Sequence, residues 1–194
     1  HFHLAMEREA SADFEHFPPG LGYLVRHFDH EHFDVVILDC ALEELHPSSE
    51  VFREQLVALR PDVIGVSWWS VNTPIVEETL RVAKELVPRA ILVAGGHHVT
   101  ACAEAIVKGR AVDIAFVGEA EIAFRSLLEA IRETGGLPPA DRLESIHGLV
   151  YRKDLRIFHD PQRFADDLDE IHGIDYARAR LRDYHRRGYY YGAR

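Results

Sequence analysis

The chain has 194 residues, of which 47% are hydrophobic, and this is enough for one well-packed domain with a tail. No apolar run reaches the roughly 18 residues of a membrane-spanning helix, so we expect no membrane span. The formal net charge of −10 argues against sequence-independent binding of nucleic acid, which needs a basic surface.

The compartment is inferred from the termini and the cysteines. The chain starts at His1 without a basic segment or an initiator Met, so we expect no signal peptide and a piece of a longer chain. Cys40 and Cys102 are far apart and form no metal-binding spacing. We therefore expect a cytoplasmic protein with two free, buried thiols.

Apolar runs typical of strands alternate with amphipathic runs typical of helices. The predicted strands cover 2–6, 33–40, 61–70, 89–96 and 112–118. The predicted helices cover 18–28, 48–59, 74–87, 100–107 and 119–136. Short connections between these elements favour right-handed crossovers. We therefore predict a doubly wound, Rossmann-like or flavodoxin-like α/β fold with a five-stranded parallel sheet in the order 2-1-3-4-5.

The pattern changes after Gly136. Residues 137–143 are predicted to be a loop, and 146–160 contain two short strands joined by a polar turn, which predicts a small β-hairpin. The rest is polar and aromatic and is predicted to be a helical tail. We divide the chain into a Rossmann-like domain over 1–136, a loop and hairpin extension over 137–175, and a linker over 176–194.

Ligands of open parallel sheets bind beyond the carboxyl ends of the strands, near the point where the strand order reverses. In the order 2-1-3-4-5 this point lies between strands one and three. The loops at this edge carry the chemically distinctive residues. These are His16 after strand one; Ser67, Trp68, Trp69, Ser70 and Asn72 after strand three; Gly95, Gly96, His97 and His98 after strand four, followed by Thr100; and Gly118 and Glu119 after strand five.

Two pairs in these loops have competing explanations. Gly95–Gly96 fits a turn with positive φ or the close approach of a bulky ligand, and a turn explains one glycine more readily than two. Trp68 and Trp69 are adjacent at a strand end, so we expect at least one indole to point outward, where it would suit a large planar ligand.

The histidines are ambiguous. His97 and His98 are explained equally well as ordinary loop residues. His27, His30 and His32 suggest a metal site, but no metal-binding frame with a carboxylate emerges around them. For this second group we favour a solvated helix end.

Three motifs carry a family resemblance. GGHHVTA (95–101), VGEAE (117–121) and IHGLVYR (146–152) occur in this order, and the chain from about Pro18 to the tail resembles the cobalamin-binding domain at the N-terminus of B12-dependent radical SAM enzymes. That family includes enzymes of the anaerobic magnesium-protoporphyrin IX monomethyl ester cyclase type. The resemblance implies a Rossmann-like fold, cobalamin as the cofactor, and a parent enzyme that performs methyl transfer, ring closure or rearrangement.

The resemblance also assigns site residues. The serine motif of cobalamin-binding domains matches Ser67–Trp69, although leucine is usual at position 69, and their glycine pair matches Gly95–Gly96. The family's Gly-Glu turn matches Gly118–Glu119, although Ala120 replaces a frequent glycine. Cofactor binding is thus implied for these residues, with side chains at the glycine pair blocking the slot for the nucleotide tail. The full set is Ser67, Trp68, Trp69, Ser70, Asn72, Gly95, Gly96, His97, His98, Thr100, Gly118 and Glu119.

Two departures from related families limit the implied chemistry. The Asp-x-His-x-x-Gly loop, whose histidine binds cobalt, is absent, because Glu15 stands where that histidine would be. His16 lies one residue later, and the following Phe17-Pro18-Pro19 stiffens the chain, so we disfavour His16 as a cobalt ligand and leave the metal ligand unassigned. The CxxxCxxC motif is also absent, so a [4Fe-4S] cluster and S-adenosylmethionine belong to a radical SAM barrel elsewhere in the same parent chain.

Two other functions stay open at this point. The chain is alternatively a flavodoxin-like regulatory or interaction domain that has lost its cofactor, which Trp69 and the missing axial histidine favour. A corrinoid shuttle protein of a methyltransferase is the other alternative, but such proteins use the histidine loop and a preceding helical bundle. None of the three gives this chain a complete catalytic centre of its own.

Overall fold

A computed structural model describes residues 4–5, 17–28, 30–160 and 168–188. Within these residues six strands form one sheet in the order β1-β2-β3-β4-β5-β6. The strands are β1 (Leu4–Ala5), β2 (Val63–Ser67), β3 (Ile91–Gly95), β4 (Ile114–Phe116), β5 (Leu149–Lys153) and β6 (Arg156–His159). Strands β1 to β4 pair in parallel, whereas β5 and β6 are antiparallel to their neighbours. The fold is therefore α/β with a mostly parallel sheet.

Seven α-helices occur within the described residues, and capping or proline residues mark the start of several of them. They are α1 (Pro19–Arg26), α2 (Glu50–Leu59), α3 (Thr73–Leu86), α4 (His97–Lys108), α5 (Glu121–Thr134), α6 (Ala140–Leu143) and α7 (Leu181–Arg186). Ser49 caps α2, because its hydroxyl accepts a hydrogen bond from the Phe52 amide at 3.2 Å. Proline lies in the first turn of both α1 and α3, where a missing amide proton costs nothing. In the described part of the chain, no helix combines the length and apolarity that crossing a membrane requires.

The sheet is buried on both faces by two apolar clusters. Successive side chains of a strand point to opposite faces, so Val63 of β2 packs with α1 and α5 while Ile64 packs with α2, α3 and α4. Strands covered on both sides need apolar residues at nearly every position, which explains the continuous apolar runs in the sequence.

The segment 168–188 folds back onto α1. Its Ile174 side chain lies against Gly22, where an added Cβ would overlap the Ile174 Cγ2. The Asp175 amide donates a hydrogen bond to the Gly22 carbonyl at 3.0 Å. The buried Tyr184 hydroxyl donates to the Asp39 carboxylate. These contacts make the segment part of the folded unit.

The complete predicted strand order 2-1-3-4-5 is not confirmed within the described residues. Residues 33–39, which were expected to form the second strand, carry no strand assignment. The other four predicted strands correspond to β1, β2, β3 and β4 and lie side by side. Phe33 and Leu38 are nevertheless buried, each in a different apolar cluster. An apolar run therefore predicted burial correctly here, but burial does not require strand pairing.

The predicted hairpin is not a separate unit, because β5 pairs with β4 and extends the main sheet. This pairing covers the edge that β4 would otherwise expose, and it makes the sheet mixed instead of purely parallel. The predicted loop over 137–143 contains the short helix α6.

Helix α4 begins three residues earlier than predicted, so that His97 and His98 lie in its first turn. Cys40 is buried as expected, but Cys102 is exposed, because the buried face of α4 carries Val99, Ala103 and Ile106 and Cys102 lies about 100° round the helix from Ala103. Both thiols are free.

Candidate functional site

A cavity of about 490 Å³ opens at the carboxyl ends of β2, β3 and β4, on the face of the sheet that α1 and α5 cover. It exists because glycines replace larger side chains on this face, at Gly65 of β2 and Gly95 of β3. Its lining comprises Gly20, Leu21 and Leu24 of α1; Gly65, Val66 and Ser67 of β2; Val93, Ala94 and Gly95 of β3; Phe116 of β4; Glu121 and Phe124 of α5; and Trp69, Gly96, His97, Thr100, Gly118, Glu119 and Ala120. The volume is typical of a small-molecule site.

The described lining of the cavity comes from the predicted strands three, four and five. The expected position was the edge where the strand order reverses, between the predicted strands one and three, with the loops after strands four and five next along it. The expectation depended on a reversal of strand order next to β1, which the described residues do not show. His16 lies outside the described residues.

Gly95 and Gly96 are under different structural constraints. Gly96 has φ +107°, and a Cβ there would lie 2.8 Å from the Trp68 carbonyl oxygen, so the backbone itself requires glycine. Gly95 has no such constraint, because an added Cβ would meet only the Phe116 Cβ at 3.8 Å, an ordinary contact. A larger side chain at Gly95 would instead enter the cavity, whereas one at Gly96 would disturb the fold before it affected any ligand.

The two tryptophans separate as expected, since Trp68 is only 2% exposed and Trp69 is 50% exposed. The Trp68 Nε1–H donates to the Thr73 Oγ1 at 2.9 Å, and its ring stacks on His98 with the centroids 5.2 Å apart. Trp69 contacts His97 edge to face, with the centroids 4.5 Å apart. The exposed indole and imidazole both line the cavity and present a pair of flat rings at its margin.

Eight of the twelve predicted site residues line the cavity, and four do not. The eight are Ser67, Trp69, Gly95, Gly96, His97, Thr100, Gly118 and Glu119; the four are Trp68, Ser70, Asn72 and His98.

The four that lie outside the cavity fix the loop after β2. The Asn72 Oδ1 accepts from the Trp69 amide at 2.9 Å, and its Nδ2 donates to the Ser67 carbonyl at 3.4 Å. The Ser70 hydroxyl is paired with the His98 Nδ1 at 3.0 Å. These contacts hold Ser67 and Trp69, which do reach the cavity, in place.

Two acidic side chains, Glu119 and Glu121, line the cavity at the N-terminus of α5. Burial raises the pKa of the Glu121 carboxyl, the neighbouring Glu119 carboxylate raises it further, and the backbone amides of Glu121 and Ala120 act in the opposite direction. The Glu121 Oε2 atom is buried and has no hydrogen-bond partner among the described residues. Glu119 is exposed, and its backbone neighbour Gly118 donates its amide to the Thr100 Oγ1 at 3.0 Å.

No group of three or more histidine, cysteine or acidic side chains that could hold a metal ion occurs in the part of the chain that the structure describes. The expected solvated helix end at His27 is wrong, because His27 is only 4% exposed and its ring stacks on His172 at 5.1 Å. The tail segment covers this histidine, which a local reading of the sequence around position 27 could not show.

Sequence reasoning missed the walls of the cavity. Leu21 and Leu24 of α1 and Phe116 and Phe124 opposite them supply its apolar sides, but their sequence pattern is that of ordinary core residues. Glu121 is not among the predicted site residues, although its place in VGEAE, one residue beyond the strand-end loop, is a usable signal.

A Rossmann-like sheet with an apolar cavity at the carboxyl ends of its parallel strands defines a domain that binds a small molecule or cofactor. The family model described as a B12 binding domain matches residues 9–128, and the chain belongs to this family.

The relatives are longer proteins. The chain is 28% identical over 156 residues to an uncharacterized methyltransferase of Pyrococcus horikoshii, and 30% identical over 141 residues to an anaerobic magnesium-protoporphyrin IX monomethyl ester cyclase of Rubrivivax gelatinosus. These matches cover 79% and 71% of this chain but only 32% and 24% of the two relatives.

Solved structures agree on the fold. The chain resembles the radical S-adenosylmethionine methyltransferase TsrM from Kitasatospora setae, with cobalamin and a [4Fe-4S] cluster bound, at a TM-score of 0.66 and 18% identity, over 82% of this chain and 30% of that one. It also resembles the cobalamin-dependent S-adenosylmethionine radical enzyme OxsB, with aqua-cobalamin and S-adenosylmethionine bound. The TM-score is 0.74 and the sequence identity is 14%, and the match covers 94% of this chain and 25% of that one. The chain is thus a B12-binding domain similar to those of cobalamin-dependent radical SAM enzymes, which confirms the resemblance inferred from its motifs.

Proposed function

We propose that the cavity above β2, β3 and β4 receives the nucleotide tail of cobalamin, so that this chain is the cofactor module of a larger radical SAM enzyme. Gly95 carries the proposal. It lies at the end of a buried strand, its backbone does not require glycine, and the space its missing side chain leaves belongs to the cavity. Ligand access is the remaining physical reason for glycine at this position.

The other lining residues fit the two halves of this cofactor. The nucleotide tail ends in a flat, largely apolar benzimidazole, which suits the apolar walls formed by Leu21, Leu24 and Phe116. The Ser67 hydroxyl at the end of β2 offers a hydrogen bond to the polar parts of the tail. Trp69 and His97 lie at the margin, where they would contact the macrocycle.

The remaining predicted site residues hold the residues that contact the cofactor in place. Trp68, Ser70, Asn72 and His98 hold the β2–α3 loop and the start of α4, and Gly96, Gly118 and Thr100 shape the adjoining turns. Bound cobalamin supplies a cobalt centre for methyl-group or electron transfer. The chain's own residues hold the cofactor and shield one side of it, and they form no complete catalytic centre.

The parent enzyme follows from the same proposal. In this proposal residues 1–136 are the cobalamin-binding unit and 137–175 are its loop and hairpin extension. Residues 176–194 are the linker toward a radical SAM barrel in the same cytoplasmic parent chain, where the [4Fe-4S] cluster and S-adenosylmethionine would bind. Support comes from the length of the relatives, of which this chain covers a third or less. Methyl transfer and ring closure are both represented by the names of those relatives.

Retention of the corrinoid tests the proposal. The chain is incubated with hydroxocobalamin, passed through a gel-filtration column, and examined by absorption spectroscopy. We expect about one corrinoid per folded chain, with a visible spectrum altered from that of the free compound. A folded chain that elutes without corrinoid would reject this function in favour of a flavodoxin-like domain that has lost its cofactor.

A further inference from the structure

One cavity residue has an unmet hydrogen-bonding requirement. Glu121 is the first residue of α5 and lines the cavity, and its Oε2 atom is buried without a partner among the described residues. Buried polar atoms in folded proteins are nearly always hydrogen-bonded, and leaving one unpaired is costly. The position of this oxygen therefore suits a donor that arrives with a ligand.

The surrounding groups restrict what that donor can be. Among the described lining residues the titratable side chains are Glu119, Glu121 and His97, and those of β2, β3, β4 and α1 contribute none. A phosphate at this end of the cavity would meet two carboxyl groups and the Coulomb repulsion that follows when they are ionised. A neutral N–H or O–H group meets no such repulsion.

We propose that Glu121 Oε2 accepts a hydrogen bond from a neutral N–H or O–H group of the bound corrinoid, and that this end of the cavity selects an amide or hydroxyl over a phosphate. The inference rests on the proposed function. Cobalamin carries both kinds of donor, as primary amides around the macrocycle and as the ribose hydroxyl of the nucleotide.

The hydrogen bond to Glu121 couples ligand binding to the loss of a proton from its carboxyl group. Without ligand, burial raises the pKa of Glu121, so the carboxyl retains its proton to a higher pH than an exposed glutamate does. A donated hydrogen bond favours the ionised form and lowers that pKa again. Binding therefore releases the proton, and affinity falls as the pH falls through the raised pKa of the free chain.

Affinity measured against pH provides the test. Dissociation constants for hydroxocobalamin and for dicyanocobinamide, which has the macrocyclic amides but no ribose or phosphate, are determined between about pH 5 and 8. The parent chain is compared with Glu121→Gln and with Glu129→Gln, an exposed position on the same helix. All three proteins share the same ligand and differ at one carboxyl only, so differences between their profiles report the substituted carboxyl.

We expect Glu121→Gln to bind about tenfold more weakly at the alkaline end and to lose the acid-side decline that the parent shows, while Glu129→Gln follows the parent. An effect on both ligands assigns the donor to a group that cobinamide retains, which is an amide of the macrocycle or the aminopropanol hydroxyl. An effect on hydroxocobalamin alone assigns it to the ribose hydroxyl. Parent-like affinities and profiles in Glu121→Gln would overturn the inference and leave the proposed function intact. A parent chain that binds neither corrinoid would overturn both.

Urea unfolding of the protein without ligand tests separately whether the Glu121 carboxyl is buried. Because the pKa of Glu121 is raised on folding, its contribution to the free energy of unfolding is present at acid pH and is lost as the pH rises through that raised value. Glu121→Gln should remove this loss and unfold at a higher urea concentration than the parent at neutral pH. An unchanged pH dependence of unfolding would contradict the burial of this carboxyl on which the inference depends.

Discussion

Replacing Gly96 with alanine should destabilise the protein far more than the same change at the adjacent Gly95. Gly96 has φ 107° and ψ 177°, a region that costs a residue with a side chain about 1–3 kcal/mol. The new Cβ would also lie 2.8 Å from the Trp68 carbonyl oxygen and 3.1 Å from the Trp68 nitrogen. These backbone atoms cannot move freely, because the Trp68 amide donates to the Gly95 carbonyl at 2.8 Å and the Trp68 carbonyl accepts from the His98 amide at 3.1 Å.

The expected cost combines both effects. Weakening one of these backbone hydrogen bonds adds about 1 kcal/mol to the conformational strain, so Gly96→Ala should lower the free energy of unfolding by about 2–4 kcal/mol. That is a large part of the about 5–15 kcal/mol by which domains are usually stable. Urea unfolding of the protein without cofactor, followed by circular dichroism, measures the change.

Gly95→Ala is the matched control, since its Cβ would meet only an ordinary contact with Phe116. We expect its unfolding free energy to stay within about 0.5 kcal/mol of that of the parent. A Gly96→Ala variant as stable as the parent would refute the backbone requirement, and with it the separation of the two glycines into a structural and a ligand-facing residue.

Two further changes test the packing of the tail segment and its pH dependence. Tyr184→Phe removes the hydroxyl that donates to the buried Asp39, and we expect a loss of about 1–3 kcal/mol in urea unfolding; an unchanged midpoint would contradict this contact. Burial lowers the pKa of His27, and the electrostatic interactions with His172 and Arg125 lower it further, so stability should be full above about pH 6.5 and decline as the pH falls. His27→Gln should flatten that decline, and an equally steep acid-side loss in the variant would show that another group is responsible.

The sequence indicated the α/β class of the fold and part of the lining of the cavity. Glycines, a serine and tryptophans that follow buried strands are visible as motifs, and Ser67, Trp69 and Gly95 do meet at one cavity. Strand order was harder, because the apolar run over 33–40 has the composition of a central strand. Phe33 and Leu38 are buried, as such a run requires, yet this burial comes from packing into the two clusters without strand pairing.

Long-range packing accounts for the other errors. The residues near His27 in sequence do not indicate that His172 stacks on its ring. The residues near β4 likewise do not indicate that β5 pairs with this strand. The different constraints on Gly95 and Gly96 were also hidden, because the atom that a Cβ at Gly96 would meet belongs to Trp68, 28 positions earlier in the chain.

The claim that the cavity above β2, β3 and β4 holds the cofactor is tested most directly by an equilibrium titration of Gly95→Leu with hydroxocobalamin. The leucine side chain would extend from the end of β3 into the space that the missing Gly95 side chain leaves open. With circular dichroism and urea unfolding showing an intact fold, we predict that affinity falls at least about a hundredfold relative to the parent and to Gly95→Ala, because placing the leucine side chain and the ligand in the same space costs about 3 kcal/mol. A folded Gly95→Leu protein that binds hydroxocobalamin as tightly as the parent would contradict the proposed site.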